Sequence, residues 1–307
     1  MRILVVGAGA VGGCLGGRLV GAGRNVDFLV RRARAEQLRG RGLRIVDGEG
    51  VDNIDVNCLT ADELTGHVDL ILLCVKPDAL PAVMDDLEPA VGPDTVLVPF
   101  LNGIRHVDLL TERYGEAVLG GVAKIVTQLA GNGDIHQLLP GGQIQIGELN
   151  SGRPDRVARV AQSLAISDFD VTVLDNIADA MWSKWVMIAT LGAVTSLVRG
   201  TISEAVAVED GAVFAAGTLD EAASVAAAAR HPLSESDYAG YRELVTAGPF
   251  PLTSSLSWEL LTGRTTEVEN VLGDLVDRAR AFGLAVPRLE AAALTLRAHN
   301  ARVTSAA

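Results

Sequence analysis

The chain has 307 residues, 49% of them apolar, 21% charged and only 4% aromatic, with a mean hydropathy of +0.29. That composition buries a sizeable core, excludes wholesale disorder and, at roughly 150 residues per domain, suggests two domains. The formal net charge of −12 excludes the basic face that duplex binding needs, so no nucleic acid is expected as a partner. No charged leader followed by a long apolar stretch opens the chain. Its longest apolar run, 185–198, is 14 residues interrupted by Thr, Ser and Gly. The expectation is therefore a cytoplasmic protein with no signal peptide and no membrane partner. Cys14, Cys58 and Cys74 form no C-x-x-C pair and read as small buried hydrophobes, with no metal site.

In chain order, Ile3-Leu4-Val5-Val6 comes first, followed by short apolar runs at 26–30, 70–75 and 96–98. Continuous runs suit strands covered on both faces of a parallel sheet. Helical patterns at 11–22 and 77–87 lie between them, a βαβ rhythm that predicts a doubly wound sheet. Segments 43–46 and 53–58 read as short strands around an Asp47-Gly48 turn, and 118–128 with 143–147 as a later antiparallel extension. The strand Val171-Thr172-Val173 closes this α/β domain, so the first domain is expected at 1–173 and an all-α second domain at 174–307. In the second, strand signals vanish and helices are expected at 206–230, 236–245, 254–261, 267–282 and 289–300, with 303–307 frayed.

Gly7-Ala8-Gly9-Ala10-Val11-Gly12 matches G-x-G-x-x-G between the first strand and the first helix. The first glycine permits a tight turn, the second lets backbone approach a pyrophosphate, and the third lets helix pack on strand. The helix N-terminus then offers free N–H groups to phosphate. Where an NAD-preferring site would carry Asp or Glu, at the end of the second strand, stand Arg31, Arg32 and Arg34, while Asp27 lies inside the strand. Forked donors on Arg31 and Arg32 suit the 2′-phosphate of NADPH; the alternative is a solvated basic loop.

Ligands of open α/β sheets sit beyond the carboxyl ends of strands. Lys76 and Asn102 stand at two such ends, though Asn102-Gly103 is equally a plain turn. In the helical half, Lys184 lies among Met181, Trp182, Trp185 and Ile188. Burial penalises its charged form and suits it to release a proton; alternatively it snorkels to water. Thr266 with Glu269 makes a capping-box pattern, which puts Glu267 in a first helical turn. Ser255 and Glu267 are 12 residues apart in sequence, about 18 Å on a straight helix. They can share a small site only if the helix breaks, and Thr262-Gly263 is the natural place.

Taken together, the glycine fingerprint, Arg31, Val75-Lys76, Asn102-Gly103, Trp182-Ser183-Lys184, Ser254-Ser255 and Arg264-Thr265-Thr266-Glu267 resemble the ketopantoate reductase (2-dehydropantoate 2-reductase) family over essentially the whole chain. The resemblance implies NADPH-dependent reduction of a 2-oxo acid to a 2-hydroxy acid, as in pantothenate biosynthesis. It implies Lys184 as general acid, Glu267 as the acid bonding the reacting oxygen, Ser255 as carboxylate binder, Asn102 between nicotinamide and substrate, and Arg31 and Lys76 as cofactor contacts. In the family, Asn commonly stands four and eight residues after the lysine and three before the serine; here those positions are Ile188, Gly192 and Leu252. A paralogue acting on a less polar 2-oxo acid or ketone is therefore the alternative substrate reading. An opine- or polyol-type dehydrogenase and a non-catalytic NADPH-binding redox sensor are the alternatives of other kinds. The Ala-rich helical half is compatible with a homodimer.

Overall fold

The computed structural model describes residues 1–150, 153–248 and 251–306. It begins with β1 (Arg2–Val6), α1 (Ala10–Gly21), β2 (Asn25–Leu29), α2 (Arg32–Arg41), β3 (Leu43–Val46), β4 (Val51–Ile54), β5 (Asn57–Leu59) and β6 (Leu70–Leu73). Then come α3 (Leu80–Asp86), β7 (Val96–Pro99), α4 (Arg105–Tyr114), β8 (Leu119–Lys124), β9 (Thr127–Leu129), β10 (Ile135–Gln137), β11 (Gln143–Glu148), α5 (Pro154–Leu164) and β12 (Asp170–Val173). The rest is helical: α6 (Ile177–Val198), α7 (Ile202–Val206), α8 (Gly211–Ala228), α9 (Glu235–Ala247), α10 (Ser255–Leu261), a π-helical turn Glu269–Gly273 continued by α11 (Asp274–Ala281), and α12 (Pro287–Ala306). The chain forms two compact units. One comprises Met1–Leu101 with His106–Ile177; the other comprises Asn102–Arg105 with the chain from Ala178 onward.

The apolar runs of the first half are strands of one parallel sheet, ordered β5-β2-β1-β6-β7. Alternate residues face opposite layers. Ile3, Val5, Phe28, Leu70 and Leu72 join a core with Leu15 and Leu19 of α1, while Leu4, Val6, Leu29, Ile71 and Leu73 join another with Leu80 and Met84 of α3. Both faces are dry, which is why the sequence shows no polar alternation. The fold is the expected Rossmann-type α/β unit followed by a helical one.

Two smaller sheets complete the first unit, and they correct two expected strands. Segment 53–58 is divided: β4 turns back antiparallel on β3, while β5 joins the main sheet parallel to β2. The turn between β3 and β4 is closed by Asp47, whose Oδ1 accepts the Glu49 and Gly50 N–H groups at 2.8 and 3.1 Å. Segment 118–128 is divided likewise. β8 pairs antiparallel with β11 as expected, but β9 pairs with β10 in the sheet β4-β3-β10-β9. Local pattern does not show which partner supplies the hydrogen bonds on either side of each break. Three helices are also absent from the sequence expectations: α4 and α5, although each has an apolar stripe, and α2, which has none. In α2 only Ala35 and Leu38 are buried.

The glycine excess has a packing cause. Helix α1 is held between two sheets, and a Cβ on Gly12 would lie 2.1 Å from the Gly7 carbonyl oxygen and 2.6 Å from the Cys74 Cβ. One on Gly16 would lie 2.4 Å from the Phe28 ring. On the opposite side, Gly13 and Gly17 would meet Ile135 and Leu43 at 2.3 and 2.6 Å. Two of the cysteines are buried as expected, Cys14 and Cys58, and burial pushes the Cys14 thiol up to about 11, whereas Cys74 is only half-buried.

In the second unit α6 is apolar on all sides, and such a helix belongs in a core. It is the one helix among the described residues long and apolar enough to cross a membrane, and 72% of its most apolar stretch is buried inside the protein. The break expected between Ser255 and Glu267 is present: α10 ends at Leu261 with Thr262 as its cap. Two other expectations fail. The expected helix 206–230 is interrupted, with α7 ending at Val206 and α8 starting at Gly211. The tail is not frayed from Val303, because α12 runs on to Ala306.

Gly12→Ala tests the close packing of α1. Its methyl group meets backbone rather than a pliable side chain, so urea unfolding should show a loss of about 1–3 kcal/mol. A loss below about 0.5 kcal/mol would show that the helix can shift away at no cost.

Candidate active site

Each glycine of the Gly7–Gly12 loop meets the demand its position makes. Gly7 has φ +95°, and its N–H donates to the Leu29 carbonyl at 2.9 Å, which ties the turn to the end of β2. Gly12 has no room for a side chain, as described above. Gly9 is different: a Cβ there meets no protein atom within 4 Å. Its φ of −82° is open to any residue, so nothing in the fold itself requires glycine. The space before Gly9, at the N-terminus of the 12-residue α1, fits a pyrophosphate approaching the backbone. Ala8, Ala10 and Val11 complete the loop and the first turn of α1.

The basic residues after β2 divide into two kinds. Arg31 is the exposed residue capping α2, and Arg32 begins that helix. Arg32 has 74% of its side chain exposed and touches only the equally exposed Asp62, at 3.4 Å. Such a surface pair is worth little. Arg34, grouped with them on sequence, does something else. Its Nε donates to the Ala8 carbonyl at 3.2 Å and its Nη1 to the Gly133 carbonyl at 3.1 Å, so it braces the glycine loop from beneath. Asp27 is buried and accepts from Arg2 Nε at 2.9 Å and Asn57 Nδ2 at 2.5 Å. It is committed inside the sheet. Lys76 is exposed beyond the end of β6, at the start of a short 3-10 turn.

In the helical unit Lys184 is half-buried on α6, flanked by buried Trp182 and Trp185. The two indole rings lie 4.9 Å apart, and the Arg278 guanidinium sits 5.7 Å from each. Ser183, on the same turn, donates to Asp237 at 2.7 Å and contacts the Tyr241 hydroxyl at 2.9 Å, which fixes the helix against α9.

Glu267 is half-buried and precedes the π-helical turn. Its carbonyl accepts the N–H groups of Asn270 and Val271, each at 3.2 Å. The expected capping box is absent. Asn300 on α12 takes the cap's place: its Oδ1 accepts the Thr266 N–H at 2.8 Å and the Thr266 hydroxyl at 3.1 Å, and its Nδ2 donates to the Thr266 carbonyl. Glu269 instead forms a two-pronged pair with Arg297, at 2.7 and 2.6 Å. Sequence spacing could not reveal this, because Arg297 and Asn300 lie some thirty positions on. They share one face of α12 by their separation of three.

Asn102 is half-buried next to Gly103, whose φ is +79°. A Cβ on Gly103 would lie 2.3 Å from the Asn270 carbonyl oxygen, so glycine lets this turn rest against the π-helical one. Ser254 is the true cap of α10, accepting the Ser257 N–H at 3.0 Å and contacting Thr195 Oγ1 at 2.7 Å. Ser255 is the exposed first residue of that helix.

Positions 188, 192 and 252 share apolar surroundings. At Gly192 a Cβ would lie 2.8 Å from Leu256 Cδ1, so Leu256, beside Ser255, fills the place of any side chain there. Ile188 and Leu252 are half-buried members of the same apolar cluster. The face of α6 that follows Lys184 is thus built of hydrocarbon.

Residues 3–151 match the model of the family described as ketopantoate reductase PanE/ApbA, and 176–300 match that of its C-terminal domain. An uncharacterized oxidoreductase of Bacillus subtilis strain 168, YkpB, is 32% identical over 302 residues, covering 98% of this chain and 99% of that one. A crystal structure of 2-dehydropantoate 2-reductase from Geobacter metallireducens superposes with a TM-score of 0.87 at 25% identity, over 97% of this chain and 99% of that one. D-mandelate dehydrogenase, in a ternary structure with NADH and anilino(oxo)acetate, shares the fold with a TM-score of 0.90 at 22% identity, over 99% and 100% of the two chains.

The Arg297 guanidinium holds the Glu269 carboxyl below the usual carboxylate range. A depressed carboxylate contributes stability above its unfolded value of about 4.3 and loses it as pH falls through the folded value. Arg297→Gln should therefore lower stability at pH 7, by under about 1 kcal/mol for so exposed a pair. Urea titrations of the two proteins should converge as pH falls below the carboxylate range; a gap that stays equal between neutral and acid pH would rule out the ion pair as its source.

Proposed function

The chain belongs to the ketopantoate reductase family, nicotinamide-dependent oxidoreductases acting on C=O and CH–OH groups, and we propose that it reduces a 2-oxo acid to the 2-hydroxy acid with NADPH. The observation that carries the reading is Lys184. It is a half-buried cation on the core helix α6, next to the one tryptophan that bonds to the turn following Glu267. The open backbone at Gly9 supports pyrophosphate binding by the Gly7, Ala8, Gly9, Ala10, Val11 and Gly12 loop. Arg31 and Arg32 supply forked donors for the 2′-phosphate, and Lys76 a further cation. The commitment of Asp27 inside the sheet favours NADPH over NADH.

When bound, NADPH supplies hydride to the ketone carbon. In this reading the chain's own residues do the rest. Ser255 donates a hydrogen bond to the substrate carboxylate, and Asn102 orients the carboxamide and the substrate. Negative charge grows on the ketone oxygen as its π-bond breaks, and Lys184 gives that oxygen a proton. Glu267 bonds the same oxygen's hydroxyl and holds it toward Lys184.

A second reading concerns the substrate's side chain. Ketopantoate carries a hydroxyl that needs a partner, and an unmatched one costs about 1–3 kcal/mol. Ile188, Leu252 and Leu256 over Gly192 offer none, which favours a 2-oxo acid with a hydrocarbon side chain over ketopantoate.

Kinetics on ketopantoate beside branched-chain and aryl 2-oxo acids, followed by NADPH absorbance, test both readings. The apolar acids should show the higher kcat/KM, by roughly tenfold or more for one unmatched hydroxyl. No turnover on any acid by folded protein would overturn the reductase reading. Lys184→Ala should lower kcat by about 10²–10⁴-fold with NADPH affinity retained.

Gly9→Ala separates cofactor contact from folding. The added methyl group meets no protein atom, so stability should change by under about 0.5 kcal/mol while NADPH affinity falls at least tenfold. Unchanged affinity in a fluorescence titration would remove Gly9 from the cofactor site.

A further inference from the structure

Three of the residues assigned above converge on the π-helical turn Glu269–Gly273. Within it the Asp274 N–H reaches back five residues to the Glu269 carbonyl. One extra residue in a helical turn widens it and redirects the groups on either side, and such turns gather at functional sites. Here the redirected groups have partners. The Trp185 indole N–H donates to the Val271 carbonyl at 2.8 Å. The Val271 N–H in turn donates to the Glu267 carbonyl at 3.2 Å. Lys184 is the neighbour of Trp185 in sequence, so two hydrogen bonds through one residue join the lysine's helix to the backbone of Glu267. The Asn270 carbonyl lies against Gly103, the neighbour of Asn102.

Trp185 is itself held on every side. It is 1% exposed, its ring meets Trp182 at 4.9 Å, and the Arg278 guanidinium, paired with Asp274 at 3.2 Å just after the turn, covers both rings. A side chain so enclosed transmits position rather than absorbing movement. From outside, Arg297 clamps Glu269 at the start of the turn, and Asn300 holds Thr266 just before Glu267.

We propose that Trp185 is a positioning residue of this reductase: through its hydrogen bond to the Val271 carbonyl in the π-helical turn, it sets the placement of Glu267 relative to Lys184. The proposal rests on the reading of Lys184 and Glu267 given above. It assigns Trp185 no contact with substrate or cofactor. Its indole N–H matters more than its bulk, because a phenyl ring fills much of the same space but leaves the Val271 carbonyl without its donor.

The test is Trp185→Phe, compared with the unaltered protein by steady-state kinetics and by hydrogen–deuterium exchange. In the variant, kcat should fall at least tenfold while the KM for the 2-oxo acid stays within threefold. Exchange should quicken at amides 267–273 and stay unchanged in α8 and β1. Loss of kcat with KM rising in proportion and exchange quickening throughout the helical unit would mark a merely structural residue and overturn the proposal. So would wild-type kcat and exchange. Should Trp185→Phe fail to fold, Arg297→Gln loosens the same turn from the exposed face and should give the same split, with a smaller fall in kcat. Unaltered kcat and exchange there would overturn the proposal. Absence of turnover in the unaltered protein overturns the reductase reading itself, and is distinguished from failure of the positioning role because local exchange in Trp185→Phe is read without substrate.

Discussion

The buried hydrogen bond from the Trp185 indole to the Val271 carbonyl ties helix α6 to the π-helical turn. A buried hydrogen bond of this kind contributes about 0.5–1.5 kcal/mol net, and it holds α6 beside the π-helical turn. Other segments hold the same turn from other sides. Gly103 must lack a side chain because the Asn270 carbonyl comes within 2.3 Å of where one would begin. Arg297 and Asn300, on one face of α12, hold the segment leading into the turn from outside. An isolated stretch 264–273 has little reason to adopt this shape. It does so because three other segments each bind a different part of it.

The first unit solves a different problem by removing atoms rather than adding contacts. Helix α1 must lie close enough to β1 and β6 for its N-terminus to meet the glycine loop, while a second sheet covers its other side. Gly12 and Gly16 on one side and Gly13 and Gly17 on the other allow both approaches. Each glycine in a helix interior costs up to about 1 kcal/mol relative to alanine, so four of them are a real burden on α1. Burial of Leu15, Leu19 and Cys14 in the same helix, at about 1.5–3 kcal/mol for each large side chain, offsets it. Gly9 stands apart, since nothing in the folded chain requires it.

Much of the fold was legible in the sequence because the parallel strands are dry on both faces, which leaves continuous apolar runs that no surface strand would show. The glycine loop, Arg31, Arg32 and Lys76 were legible because each follows directly from the end of a predicted strand. What escaped the sequence depends on partners far along the chain. The division of 53–58 into β4 and β5 is a matter of which strand lies beside each half. Thr266 and Glu269 have capping-box spacing, yet Asn300 and Arg297 outcompete the local bonds. Arg34 looked like its neighbours Arg31 and Arg32, but one turn into α2 its side chain points back to the Ala8 and Gly133 carbonyls. No spacing rule distinguishes a π-helical turn from an α-helical one.

The contrast bears on how the two halves of the reaction are specified. The groups proposed for the cofactor are local: a loop, two arginines and a lysine, each set by one strand end. The groups proposed for the substrate are not, and a change at one position is felt at another. Gly192 illustrates this. A glycine on the inner face of a long helix would leave a void, but Leu256 fills it, and Leu256 belongs to the same turn of α10 as Ser255. Replacing Gly192 by Asn would require Leu256 to shift, because a Cβ there comes within 2.8 Å of Leu256 Cδ1. Ile188 and Gly192 therefore belong to one apolar face together with Leu256. In the proposed reading that face accepts a hydrocarbon side chain and gives a substrate hydroxyl no partner.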